Sequence, residues 1–183
     1  MTARSSLAPR GSTITVVQGE FRISDDPHVV LSTVLGSCVA VCLYDPTVHK
    51  GGMNHFLLPE RAGACKSDIR FGAHAMELLI NGLLKIGGRR ETLRAKVFGG
   101  SSMATNLRDI GQSNAEFAKS FLHNENIPVV SESLGGTLAR RVRFWPVTGR
   151  AKMLLIPNSP DLQSPASPRP LPMQSPVESV TLF

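Results

Sequence analysis

The chain has 183 residues, 42% hydrophobic and 19% charged, the length and polarity of one core-bearing domain with a tail rather than of two domains or a wholly disordered polymer. Its longest apolar stretches, residues 38–44 and 56–59, fall far short of the roughly 18 residues a membrane helix requires, and no apolar segment follows the N-terminal arginines as in a secretory signal. A cytoplasmic protein without membrane insertion is expected.

The formal charge of +6 is concentrated in residues 85–96 and 140–152. Residues 85–96 hold no aromatic and residues 140–152 only the adjacent Phe144 and Trp145, and one Trp and one Tyr in the whole chain are little material for stacking bases. The basic faces point to an acidic or helical protein partner, not to nucleic acid. Three cysteines, Cys38, Cys42 and Cys65, are an odd number with no C-x-x-C spacing, and are read as free thiols.

Residues 1–12 are small, polar and unpatterned, and form an expected disordered tail. Residues 13–18 and Val29–Leu35 are β-branched runs and predict strands, separated by a turn at Asp25-Asp-Pro27. Cys38–Tyr44 is apolar almost throughout, as a strand covered on both faces must be. After turn material through Gly51-Gly52, Met53–Leu58 predicts the second arm of an antiparallel hairpin. The period then changes. From Asp68, the spacing of Ile69, Phe71, Met76, Leu79, Ile80 and Leu83 predicts a helix of about five turns, with Ser67 or Asp68 as its N-cap and Gly87-Gly88 beyond its end.

Arg94–Phe98 predicts a short strand running into Gly99-Gly-Ser-Ser102. Ser113 and Glu116 make a capping box for a helix reaching about Glu125. Ile127–Ser131, Arg141–Trp145 and Ala151–Ile156 predict the closing strands. Strands far outnumber the two helices and strict βαβ alternation is missing, which predicts an α+β sandwich. Seven of the thirteen prolines fall in residues 157–183, which predicts a mobile Pro/Ser-rich tail after a domain spanning 13–156.

One constellation carries chemistry. Leu35-Gly-Ser-Cys38 is followed seventeen residues later by His55 on the facing strand. A nucleophilic thiol needs a base within reach and backbone N–H groups for an oxyanion, and Gly36-Ser37 is a backbone able to present them. Residues diagonal across an antiparallel pair lie within side-chain reach. The competing reading of such a pair is a buried Cys and a core histidine. Cys42 falls on the same side as Cys38 and reads as core, and Cys65 as an exposed loop thiol. His74 falls in a helix, His49 in a turn and His123 near a helix end. A zinc site from Cys38, Cys42, His55 and His74 matches no common ligand spacing. Gly99-Gly-Ser-Ser102 reads either as an anion cradle or as a tight turn.

Residues 35–46 (LGSCVAVCLYDP), 51–59 (GGMNHFLLP), 98–103 (FGGSSM), 110–114 (IGQSN) and the segment from Gly135-Gly to Gly149-Arg150 resemble, in order, the motifs of the chemoreceptor glutamine deamidase family, CheD. The resemblance spans about residues 13–156. It implies a three-layer α/β/β sandwich, mostly antiparallel, with two main helices and a Cys–His dyad similar to that of toxin-type deamidases, mapping onto Cys38 and His55. Backbone support for the oxyanion would come from Gly36 and Ser37. A third residue, a hydroxyl that orients the histidine, is a threonine in the family and falls on Ser32 by counting back from Gly-Ser-Cys, with Thr33 on the opposite face of a regular strand. The implied reaction converts glutamines of methyl-accepting chemotaxis receptors to glutamate through a thioester, with release of ammonia, or hydrolyses a glutamate methyl ester. It needs no metal or organic cofactor. Association with a CheC-type phosphatase is implied as well. The alternative is a non-catalytic module that docks on receptors or on that phosphatase.

Overall fold

The computed structural model describes residues 11–58, 66–102, 108–157 and 180–182. In chain order these form β1 (Thr13–Thr15), β2 (Phe21–Ser24), β3 (Val30–Leu35), β4 (Val39–Asp45), β5 (Lys50–Phe56), α1 (Lys66–Lys85), β6 (Arg94–Gly99), α2 (Arg108–Asn124), β7 (Val129–Leu134), β8 (Ala139–Trp145), β9 (Arg150–Ile156) and β10 (Val180–Leu182). They build two five-stranded sheets, ordered β1-β3-β8-β9-β10 and β2-β5-β4-β6-β7. Pairing is antiparallel except between β1 and β3 and between β6 and β7.

Strand β4 shows why the layers stack as they do. Its alternate residues Val39, Val41 and Leu43 enter one core, shared with Met76, Leu79, Ile80 and Leu83 of α1 and with Ala118 and Leu122 of α2. Ala40 and Cys42 enter a second core, shared with Leu31 and Leu35 of β3, Val142 and Phe144 of β8, and Met153 of β9. Helices therefore cover one face of the β2–β7 sheet and the other sheet covers its opposite face, giving the α/β/β sandwich. A strand in this middle layer has no solvent side, so its sequence is apolar throughout. Each fully buried Val or Leu contributes roughly 1.5–3 kcal/mol.

Several boundaries differ from the sequence expectation, each for a physical reason. Gly51 and Gly52 lie inside β5 rather than in a turn, paired with β2 and β4 on either side; glycine is there for close packing, since a Cβ on Gly52 would press within 2.6 Å of the Arg22 carbonyl and 2.9 Å of Leu79. Strand β2, not anticipated, pairs with β5. Helix α1 begins at Lys66, which puts Ser67 and Asp68 inside it rather than at its cap, and Phe71 is 47% exposed instead of facing the core. Helix α2 begins at Arg108. Ser113 and Glu116 therefore sit in its interior, where Gln112 Nε2 donates to Glu116 Oε1 at 2.8 Å.

At the C-terminus, Val180–Leu182 pairs with Lys152–Leu154 as an antiparallel edge strand, so the tail is not a free appendage throughout. The expected disorder of residues 1–12 and the proline-rich stretch fall almost entirely outside the described residues, as does Cys65. No helix among the described residues is long and apolar enough to cross a membrane.

Candidate active site

Cys38 ends the connection between β3 and β4, immediately before the strand proper. Its position is set by the segment it leans on. Gly100 N donates to Cys38 O at 2.8 Å, and Ser101 N donates to Gly36 O at 2.8 Å. Asn114, fully buried on α2, donates from Nδ2 to Ser37 O at 3.1 Å. Three successive carbonyls are thus drawn outward, and in trans peptides the next N–H in each case faces the opposite way. The Cys38 amide faces its own sulfur, and this contact favours the thiolate.

Gly99-Gly-Ser-Ser102 is therefore a clasp on the cysteine loop. Gly99 has φ +116°, and a Cβ there would run into the Cys38 carbonyl; only glycine allows that approach. The clasp is itself held by Arg140, which is 5% exposed and donates from NH1 to Gly99 O at 3.2 Å and from Nε to Ser133 Oγ at 3.2 Å, with further bonds to Ser101 Oγ and Gly135 O. Arg140 belongs by sequence to a basic cluster, yet it is a buried tie between the sheets.

His55 stands directly across from Ala40 on the β4–β5 ladder, so Cys38, two residues before Ala40, is its diagonal neighbour on the same face. The imidazole is 7% exposed. Its Nδ1 lies 2.9 Å from Thr33 Oγ1 and 3.2 Å from Val16 O, while Thr33 Oγ1 donates to Val16 O at 2.8 Å. With the threonine proton so used, Nδ1–H is the donor and Nε2 keeps its lone pair. Nε2 is buried without a hydrogen-bond partner, the condition of a base waiting for a proton.

Thr33, not Ser32, is the hydroxyl on this histidine. Leu31, Thr33 and Leu35 are the buried residues of β3, while Ser32 looks outward opposite Thr15 and Arg143. The alternation of β3 carried the signal: whichever residue shares parity with Leu31 and Leu35 faces the core.

One contact had no sequence signal. Gln18, on the turn between β1 and β2, accepts a hydrogen bond from Cys38 Sγ through Oε1 at 3.4 Å. The same turn closes over His55, with Gly19 N donating to His55 O at 2.7 Å and His55 N donating to Glu20 O at 3.0 Å.

The remaining candidates scatter. Cys42 is fully buried, and burial pushes its thiol far up despite the nearby Lys96 ammonium. His74, His49 and His123 are exposed. His74 belongs to the helical layer, across the sheet from the face bearing Cys38, so the zinc set is not assembled. No cluster of metal-binding side chains occurs among the described residues.

Burial raises the Cys38 thiol above its usual value, with the amide contact opposing. Burial also lowers His55, opposed by the Val16 carbonyl. The resting pair is neutral thiol and neutral imidazole, suited to moving a proton only when an electrophile arrives.

The family model described as CheD chemotactic sensory transduction matches residues 57–154. Probable chemoreceptor glutamine deamidases are similar along most of their length: that of Ruegeria sp. (strain TM1040) is 55% identical, covering 81% of this chain and 79% of its own. That of Caulobacter sp. (strain K31) is 57% identical, covering 78% and 77%. The chain belongs to the CheD family. Among solved structures, the Bacillus licheniformis hypothetical protein YfiH matches with a TM-score of 0.42 at 17% identity, over 64% of this CheD-family chain and 51% of that one.

Proposed function

We propose that this protein deamidates glutamine side chains of chemotaxis receptors, using Cys38 as nucleophile and His55 as acid and base. The observation that carries the reading is the diagonal placement of Cys38 and His55, with Nδ1 tied to Thr33 and Val16 and Nε2 left unpartnered.

The carboxamide carbon is attacked by Sγ as the thiol proton passes to His55 Nε2, and the carbonyl electron pair moves onto oxygen. The Cys38 amide N–H is a donor for that oxyanion. Collapse breaks the C–N bond, and the proton on Nε2 goes to the leaving nitrogen, which departs as ammonia. Water, deprotonated by the same Nε2, then hydrolyses the thioester to glutamate and restores the thiol. Thr33 holds the ring and its tautomer throughout, the part a carboxylate plays in serine hydrolases. The donor set requires neither metal nor organic cofactor, because thiol and imidazole between them supply nucleophile, acid and base.

The free thiols Cys38 and Cys42 fit a reducing compartment, which supports the cytoplasm as the site of action. The family likeness supports docking to a CheC-type phosphatase as a further role of the same chain.

The test is to incubate the purified protein with a receptor cytoplasmic fragment and follow glutamine-to-glutamate conversion by mass spectrometry alongside ammonia. Cys38→Ala and His55→Ala are expected to abolish conversion with the fold retained, and Cys42→Ala to keep it. Conversion at the wild-type rate in Cys38→Ala overturns the mechanism and favours a binding module.

A further inference from the structure

In the mechanism proposed above the oxyanion has one donor, the Cys38 amide, whereas holes that stabilise tetrahedral intermediates combine two or more. The side chain beside the sulfur is that of Gln18. Its side chain is exposed, and among the described residues its hydrogen bond is to the nucleophile, at 3.4 Å.

The turn that carries it is built without that side chain. Val16 N donates to Ser32 O at 2.8 Å and Glu20 N to Val17 O at 3.0 Å, and the two backbone bonds to His55 fasten the far side. Gly19, at φ +86°, reverses the chain immediately after Gln18. A turn pinned on both sides thus places one carboxamide beside the sulfur and asks nothing structural of it.

A glutamine amide carries an acceptor and two N–H donors on one planar end. Rotation about its last torsion exchanges them at little cost. In the resting enzyme the thiol S–H donates a hydrogen bond, and Oε1 accepts it. Once that proton has moved to His55 Nε2, the acceptor has nothing to receive and negative charge is growing on the substrate oxygen, so the favoured orientation presents Nε2–H of Gln18 to that oxygen.

We propose that Gln18 is the side-chain half of the oxyanion hole, acting with the Cys38 amide on the tetrahedral intermediate. The inference rests on the Cys38–His55 reading given under Proposed function. It makes Gln18 a catalytic residue whose effect appears in kcat rather than in substrate binding, because a trigonal carbonyl does not place its oxygen where the tetrahedral one will sit.

The experiment compares full-length wild type, Gln18→Met, Val17→Ser and Cys38→Ala. Gln18→Met keeps the length of the side chain and removes both donor and acceptor without adding charge. Expected for Gln18→Met is a fall of about 10²-fold in kcat, with KM within about twofold and an unchanged melting temperature. Val17→Ser, on the same turn, keeps wild-type kcat.

A second measurement needs no turnover. A peptide with an aldehyde in place of the glutamine carboxamide forms a hemithioacetal on Cys38, whose oxygen occupies the hole, and its affinity is expected to fall in Gln18→Met by a similar factor. Wild-type kcat and aldehyde affinity in Gln18→Met, or a loss confined to KM, overturn the inference. So does Cys38-dependent conversion of Gln18 itself to glutamate, seen in the mass of its peptide, which would make it an internal substrate. Loss of activity in Cys38→Ala with none in Gln18→Met sinks this inference alone. Full activity in Cys38→Ala sinks the reading beneath it.

Discussion

Thr33 Oγ1 sits 2.9 Å from His55 Nδ1 while donating its own hydrogen bond to Val16 O, 2.8 Å away. That chain of two hydrogen bonds decides which ring nitrogen is free. Thr33→Val removes the hydroxyl at nearly constant volume and is expected to lower kcat by roughly tenfold to a hundredfold, the scale of a misplaced catalytic group. Thr33→Ser keeps most of the activity. Ser32→Ala, on the outward face, stays near wild type, and steady-state ammonia release distinguishes the three.

The pH dependence follows from burial. His55 is held neutral, with its pKa lowered from 6.5, so the acid limb of kcat/KM is expected to have its midpoint below 6.5. The Cys38 thiol, raised by burial, adds no descending limb near neutrality. Stability takes the same sign. A folded-state pKa below the unfolded one means that unfolding takes up a proton, so the contribution of neutral His55 is complete above 6.5 and is lost as pH falls through the depressed folded value. Urea unfolding of His55→Gln beside wild type is expected to show a shallower loss in the variant between neutral pH and pH 5.

Asp45, buried at the end of β4, knots that strand to the 3-10 turn Arg90–Thr92. Its carboxylate accepts from Thr47 N at 2.9 Å, Thr47 Oγ1 at 2.6 Å, Arg89 N at 2.8 Å and Thr92 Oγ1 at 2.7 Å. Burial opposes its ionisation, but the hydroxyls and amides outweigh burial and hold the group well below the ordinary carboxylate range. Asp45→Ala is expected to cost about 3 kcal/mol, since several donors lose a charged acceptor at once. The wild-type contribution is present above about pH 4, the unfolded value, and fades only in stronger acid. Chemical denaturation at pH 7 and pH 3 measures both.

Truncation after Pro157 removes β10, which pairs along Lys152–Leu154. The sheet order places β10 at the opposite edge from β1, away from the Thr33–His55 contact. A fall in melting temperature of about 2–4 °C, equivalent to about 1 kcal/mol at this chain length, is expected by calorimetry, with kcat unchanged. An unchanged melting temperature would mean that the edge pairing contributes no net stability.

Some of this architecture is local and was therefore legible. Periodicity separated α1 from the strands because side-chain spacing is set by backbone geometry alone. The unbroken apolar run of β4 announced a strand covered on both faces. The hairpin carrying Cys38 and His55 followed from a short connection between two extended runs. Alternation names Thr33 too, since it shares the parity of the core-facing Leu31 and Leu35, whereas the spacing from Gly-Ser-Cys falls one residue away, on Ser32.

What the sequence by itself determined is what depends on neighbours along the chain: the strand and helix periods, and the placing of a thiol and an imidazole on the two arms of one hairpin. Tertiary structure decided everything that depends on distant segments meeting. Arg140 reads as one more cation among Arg141, Arg143 and Arg150, and only the closing of β8 against the Gly99–Ser101 clasp buries it. Gln18 reads as a polar turn residue, and only the pairing of β2 with β5 brings its turn over His55 and its carboxamide to Cys38. Hydrogen bonds between residues twenty or more positions apart leave no period in a sequence, because the chain path that joins them is set by the packing of whole layers.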